Sequence, residues 1–263
     1  MRKLSSLLAI AGLALTATPV LAQEGDSPRA TTKGAYVTAG VGGSWASSPS
    51  TTYRESGAVT LSGTRYNYNL LETGTQNLGG GVAAEAGIGY DFGTNIRAEV
   101  TYVLNTFAVG STSVNGNAAY SGGGSSGNYS YSATGVASGN INTNSVFVSG
   151  YYDFKSKTSK SKFTPYVGAG LGWTSVNIPS MPYSATLTFQ GNNFNYNGNT
   201  ASGSAGTIGY LAKVGVSYSL AKPADLFVEG IYQGNTSATI NFVEYGALNS
   251  FSARAGVRLR FGS

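Results

Sequence analysis

The chain has 263 residues, of which 16 are Lys or Arg and 11 are Asp or Glu, and it has no histidine or cysteine. Without these two residue types there is no Ser-His-Asp triad, no imidazole or thiolate metal ligand and no disulfide. Charged residues make up only 10% of the chain, while 38 glycines and 18 tyrosines are present, which is not the composition of a disordered protein. The net charge of +5 is too small to indicate a nucleic-acid partner.

The N-terminal residues have the pattern of a secretory signal peptide. Arg2 and Lys3 precede an apolar run from Leu4 to Ala17, and Val20-Leu21-Ala22 provides the residues that signal peptidase reads. The run is short for a membrane helix, which needs about 20 apolar residues. We therefore expect residues 1–22 to be removed on export and residues 23–33 to form a linker before the folded domain.

After the linker, apolar and polar residues alternate in repeated short segments, which is the period of a β-strand. No segment approaches the 18 consecutive apolar residues of a membrane helix. The predicted strands, in chain order, cover residues 35–45, 80–92, 95–105, 144–154, 163–174, 207–220, 225–234 and 251–261.

The charged residues of these strands all fall on the face opposite the apolar row. They are Glu85, Asp91, Arg97, Glu99, Asp153, Lys213, Glu229, Arg254, Arg258 and Arg260. A water-soluble barrel would have the reverse arrangement, with an apolar interior and charges outside. An apolar outer wall around a polar interior is instead typical of a barrel that crosses a membrane, where Arg or Lys facing lipid at mid-depth would cost about 2–4 kcal/mol.

The connections alternate between short and long. Short ones at 91–95, 155–162 and 221–225 follow the second, fourth and sixth strands, whereas the first, third and fifth are followed by long Gly-, Ser-, Asn- and Thr-rich stretches. Outer-membrane barrels have an even number of strands, with short periplasmic turns and long extracellular loops. The sequence therefore predicts an all-β protein, a closed antiparallel up-and-down transmembrane β-barrel over residues 34–261, with both termini in the periplasm.

Eight strands are expected, and ten remain an alternative. Segments such as 185–189 and 59–61 have strand character, and we expect them to form hairpins above the membrane. If one such hairpin entered the wall, the barrel would have ten strands.

The interior of an eight-stranded barrel is only wide enough for side chains to fill it. Buried charges must be paired, so the inward residues are expected to form an ionic cluster that plugs the lumen. Its predicted members are Glu85, Arg97, Glu99, Lys213, Glu229, Arg254 and Arg258. A small passage for apolar or small polar solutes is the alternative function.

Aromatic residues on the outward face are expected to form girdles at the two membrane interfaces. The predicted girdle consists of Tyr90, Phe92, Tyr152, Phe154, Phe163 and Tyr218 on the periplasmic side, with Trp45 and Trp173 near the outer interface.

Three stretches have a recognisable pattern: Phe163-Thr-Pro-Tyr-Val-Gly-Ala-Gly-Leu-Gly172, Ala-Gly-Ile-Gly-Tyr-Asp-Phe at 86–92, and the alternating C-terminus. They resemble the opacity-type surface antigens, which are eight-stranded outer-membrane barrels similar in build to the barrel half of outer-membrane protein A. The resemblance implies a surface-exposed barrel without enzymatic activity. It also implies a C-terminal signal for the barrel-assembly machinery, here Phe251, Val257, Leu259 and Phe261, which Gly262 and Ser263 follow as a short extension.

The long connections at 106–143 and 175–206 contain no charged residue and are rich in Tyr, Ser, Gly and Asn. Antibody paratopes share this composition, which favours adhesion to an extracellular ligand. A solvated, variable cover would have the same composition. We therefore expect a surface protein in the outer membrane of a Gram-negative-type bacterium, whose partners are membrane lipid, the assembly machinery and an extracellular ligand or host surface, with no cofactor, metal site or nucleic acid.

Overall fold

The computed structural model describes residues 33–155, 161–221 and 223–261. The expected signal peptide at 1–22, the linker as far as residue 32 and the extension at 262–263 lie outside the described residues. Within them, no helix is long and apolar enough to cross a membrane. The strands are β1 (Gly34–Ala46), β2 (Ser50–Leu61), β3 (Thr64–Leu78), β4 (Gly80–Asp91), β5 (Ile96–Gly122), β6 (Ser125–Ala137), β7 (Asn140–Asp153), β8 (Phe163–Ile178), β9 (Pro182–Phe189), β10 (Asn192–Asn199), β11 (Gly203–Ala221), β12 (Ala224–Asn235), β13 (Ala238–Ile240), β14 (Val243–Tyr245) and β15 (Asn249–Phe261).

Eight of these strands form a closed antiparallel barrel. Their order around the barrel is β1-β4-β5-β7-β8-β11-β12-β15, and β15 pairs again with β1. Closure leaves no sheet edge unpaired, as a membrane-spanning sheet requires. The eight-stranded prediction is confirmed, and the ten-stranded alternative is wrong because the additional hairpins pair with one another above the barrel.

The barrel has an apolar wall and a polar interior. Leu171 and Val148 on the outer face are 68% and 65% exposed, whereas the guanidinium-bearing residues Arg97 and Arg254 are 0% and 2% exposed. The strict alternation in the sequence produces this arrangement, since successive side chains of a strand point to opposite faces. The predicted inward placement of the charged residues is therefore correct.

Inward glycines make room for the large lumen side chains. A Cβ atom at Gly168 would lie 2.4 Å from the ring of Tyr151, and one at Gly89 would lie 2.3 Å from the ring of Tyr36. Hydrogen at these positions allows each tyrosine ring to lie across the neighbouring strand. The glycine-rich motif at 168–172 thus has a packing role in the barrel wall.

Above the barrel, the long connections form a second sheet, which we call the distal sheet. Its strand order is β10-β9-β6-β5-β3-β2-β14-β13, and the 27-residue β5 runs through both sheets. Residues 106–143 and 175–206 therefore form mainly strands, and the hairpins expected from segments 59–61 and 185–189 are present as β2–β3 and β9–β10. Tyrosine alternating with Ser, Thr and Asn suits a strand with two exposed faces, but it lacks the apolar row that identified the barrel strands.

An apolar cluster fills the junction between the barrel and the distal sheet. Its buried members are Ala137, Ile141, Val176, Ile178, Met181 and Ile240. Leu78 of β3 and Val109 of β5 pack against it. Since Leu78 and Val109 are paired across the two strands, the face of the distal sheet that carries them continues the inner face of the barrel. The cluster therefore lies at the end of the lumen next to the distal sheet.

Candidate functional site

Four of the seven predicted lumen residues form one buried ionic group. The Lys213 ammonium lies 2.9 Å from a Glu85 oxygen and 3.1 Å from a Glu229 oxygen, and the Arg254 guanidinium lies 2.6 Å from Glu85. The hydroxyl of Tyr166 donates a 2.9 Å hydrogen bond to Glu229. β4, β11, β12 and β15 contribute one charged residue each, so the group links four strands of the barrel across its interior.

The other two predicted cations, Arg97 and Arg258, belong to a second ionic group at the short-turn end. Its ion pairs are Arg97–Asp153, Lys155–Asp91, Arg260–Asp225 and Arg258–Asp225, with nitrogen–oxygen distances of 2.9, 2.9, 2.6 and 3.8 Å. The expectation of a single cluster is thus corrected to two groups. Asp91 and Asp153 were predicted to face inward but were not among the predicted cluster members, and Asp225 was in neither set.

The seventh predicted residue, Glu99, differs from the expectation of an ion pair. It accepts hydrogen bonds from Tyr151 at 3.1 Å and from Thr101 at 2.9 Å. In the described part of the chain no cation lies within ion-pair distance of it. The hydroxyls satisfy this buried carboxylate in place of a cation.

Aromatic rings separate the two ionic groups. The Arg97 guanidinium carbon lies 4.5 Å from the centre of the Tyr151 ring and 5.7 Å from that of Tyr36, a cation–π arrangement. Arg258 lies 5.8 Å from the ring centre of Phe227. Toward the distal sheet, a further apolar layer follows, formed by Val103, Phe147, Leu211 and Ile231. Charged, aromatic and apolar layers together fill the lumen.

The predicted girdle residues lie on the outer wall. At the short-turn end, Tyr90 contacts Phe92, Tyr152 contacts Phe154, and Phe163 contacts Tyr218, with ring centres 5.0–5.3 Å apart. Trp45 and Trp173 are 54% and 58% exposed. Phe251, Val257, Leu259 and Phe261 all lie on one face of β15, which pairs with β1 and β12. The role of these four in assembly stays a prediction.

The two faces of the distal sheet differ in chemistry. Paired residues of neighbouring strands share a face, so the register assigns each side chain to the inner or the outer face. The outer face is dominated by Ser, Thr and Asn. The inner face carries Tyr53, Glu55, Tyr66, Tyr68, Glu72, Tyr120, Tyr129, Tyr131, Phe189, Phe194 and Tyr196.

Four of these rings form a row across four strands. The ring centres are 6.4 Å apart from Tyr66 to Tyr120, 5.9 Å from Tyr120 to Tyr129 and 5.8 Å from Tyr129 to Phe189. The planes of Tyr120 and Tyr129 differ by only 8°. We call this the aromatic row. The tyrosine-rich composition is evident from the sequence, but the register that places the rings side by side is not.

Beside the row, two carboxylates are held by tyrosine hydroxyls. Glu55 accepts hydrogen bonds from Tyr53 at 2.6 Å and from Tyr68 at 2.8 Å, and Tyr131 donates one to Glu72. These five residues are the carboxylate–tyrosine cluster. The hydrogen bonds from Tyr53 and Tyr68 lower the pKa of the Glu55 carboxyl. Burial and the bond to Glu72 raise the pKa of Tyr131. This cluster was not predicted, although the spacing Tyr53-x-Glu55 places the two side chains on one face of a strand.

The chain matches known proteins at the level of family and fold. Residues 64–257 match the model of a surface antigen family. The chain is similar to Neisserial surface protein A (19% identity over 86% of this chain and 97% of that one, TM-score 0.43) and to the outer membrane protein OprG of Pseudomonas aeruginosa (14%, 88% and 98%, TM-score 0.41). It is also similar to the attachment invasion locus protein Ail of Yersinia pestis (9%, 86% and 99%, TM-score 0.34). No curated protein sequence matches it.

The family match covers most of the described barrel and of the distal sheet. The closed eight-stranded wall with exposed aliphatic residues and buried charges is the architecture that an outer membrane requires of a sheet protein. The chain therefore belongs to the surface antigen family and is an outer-membrane β-barrel protein.

Proposed function

We propose that this protein is a non-enzymatic surface protein that binds an extracellular ligand through its distal sheet. In this arrangement the distal sheet lies outside the cell, both termini are periplasmic, and residues 1–22 direct export. The observation that carries the proposal is the aromatic row on an ordered sheet above a filled lumen. Tyrosine supplies contact area with little loss of conformational entropy on binding, as in antibody paratopes.

The filled lumen favours recognition over the passage of solutes. The interior is occupied by two ionic groups and by aromatic and apolar layers, and the apolar cluster lies at the end next to the distal sheet. A solute would have to displace paired buried charges, which are costly to separate. Reproducible single-channel conductance of the refolded protein in planar bilayers would favour the passage instead.

Replacing Tyr66, Tyr120 and Tyr129 by serine is expected to weaken adhesion of cells that display the protein. Loss of three of the four rings removes most of the contact area of the aromatic row, so we expect binding to host-cell or matrix surfaces to fall by about tenfold or more. Adhesion of bacteria expressing equal surface amounts of each variant measures the effect.

The matched control places alanine at Asn67, Ser121 and Ser130, which lie on the outer face of the same strands. This control is expected to adhere like the unmodified protein. Equal adhesion of the serine variant and the unmodified protein would contradict a role for the aromatic row.

A further inference from the structure

We propose that the carboxylate–tyrosine cluster binds the ammonium and guanidinium groups of a basic segment of an extracellular protein. The inference rests on the proposed function, because it names the partner of the same distal sheet. The cluster consists of Tyr53 and Glu55 on β2, Tyr68 and Glu72 on β3, and Tyr131 on β6.

Glycines on neighbouring strands allow the tyrosines to reach the carboxylates. Tyr131 extends across β5 to Glu72, over Gly116, where a Cβ atom would lie 2.1 Å from the Tyr131 Cζ. Tyr68 lies over Gly57 in the same way, since a Cβ atom at Gly57 would lie 2.8 Å from the hydroxyl oxygen of Tyr68. The carboxylates are thereby fixed beside aromatic rings, before any ligand is bound.

The charge of the inner face determines the sign of the charge that a ligand must carry. Glu55 and Glu72 are the charged residues of this face, because Arg54, Arg65 and Glu244 lie on the outer face. Among the described residues, neither Glu55 nor Glu72 forms an ion pair. The face is therefore negative, and complementarity requires a cationic partner.

The aromatic rings determine the kind of cation. Ammonium and guanidinium groups are attracted both to carboxylates and to the faces of tyrosine rings. A metal ion would require several oxygen ligands around one point, and the described residues contain no group of three or more acidic side chains that could hold one. Lysine and arginine side chains of a protein partner supply the organic cations that suit this cluster.

Binding of an oligolysine peptide to the refolded full-length protein tests the inference. We expect the unmodified protein to bind the peptide. The double variant Glu55→Gln and Glu72→Gln should bind it roughly tenfold more weakly, because the lysine side chains would then contact the tyrosine rings without a neighbouring carboxylate. Added salt should weaken binding to the unmodified protein. The control Glu244→Gln removes one negative charge from the outer face and should leave the affinity unchanged. Retained heat-dependent mobility in SDS shows that each variant is folded.

The pH dependence provides a second readout. Besides Tyr53 and Tyr68, the titratable residues on this face are Tyr66, Glu72, Tyr120, Tyr129, Tyr131, Tyr183, Tyr196 and Tyr245. Because hydrogen bonds lower the pKa of Glu55, its charge persists when the pH falls through the ordinary glutamate pKa of about 4.3. In Tyr53→Phe with Tyr68→Phe the pKa of Glu55 should rise, so oligolysine binding should be lost at a higher pH than in the unmodified protein.

Unchanged oligolysine affinity in the Glu55→Gln and Glu72→Gln variant would overturn the inference. Binding of neutral oligosaccharides but not of oligolysine would do so as well, and would assign the inner face to sugars. If that variant still adheres to cells while the aromatic-row variant does not, the proposed adhesion stands and only the cationic partner is wrong.

Discussion

Replacing Lys213 by methionine is expected to destabilise the folded barrel by about 3–5 kcal/mol. Lys213 bridges Glu85 and Glu229, all three being buried in the lumen. Methionine preserves much of the side-chain volume but removes the cation that lies between the buried carboxylates of Glu85 and Glu229, while Glu229 keeps the hydrogen bond from Tyr166. The free energy of unfolding in urea, measured for the protein in lipid vesicles, should show the loss.

Adding Glu229→Gln to the methionine variant should recover most of this stability. The second substitution removes the uncompensated charge while the amide can still accept the hydrogen bond from Tyr166. Glu85 retains Arg254 in both variants. If the double variant instead loses as much free energy of unfolding as the two single variants together, Lys213 and Glu229 are not energetically coupled.

Replacing Val148 by arginine is expected to lower the free energy of unfolding by about 2–4 kcal/mol, because the guanidinium would face lipid near mid-depth. Val148 lies in the middle of β7, where it pairs with Val100 and Leu171 on the outer wall. The same vesicle-based unfolding measurement applies.

The matched control is Val59→Arg in β2 of the distal sheet, where the native side chain is 43% exposed above the barrel. Arginine at this position can remain in water, so a change within about 0.5 kcal/mol is expected. Equal losses in the two variants would mean that Val148 does not face lipid.

The barrel was predictable because two independent patterns agree. A membrane imposes an apolar outer row on every barrel strand, and the charged residue positions, from Glu85 to Arg258, all obey it. The alternation of short and long connections gave the topology. The predicted strands were too short, as β5 shows by continuing to Gly122, because beyond the membrane the apolar row is no longer required.

The pairings between side chains were harder to predict from the sequence than the barrel itself. Periodicity assigns a residue to a face but does not give the register between strands that are distant in sequence. For that reason Arg97 was expected beside the glutamates, although it pairs with Asp153, and the tyrosines of the distal sheet were not expected to form a row. The partners of Glu55 and Glu72 depend on the same long-range register.

Tryptophan quenching tests the membrane-facing wall most directly, without any substitution. The chain has only two tryptophans, Trp45 and Trp173, and both project from the outer wall, more than half exposed. In vesicles of phospholipids with brominated acyl chains, their fluorescence should be strongly quenched, while acrylamide in the aqueous phase should have little effect. Strong quenching by acrylamide with none by brominated lipid would contradict an apolar wall in contact with the bilayer.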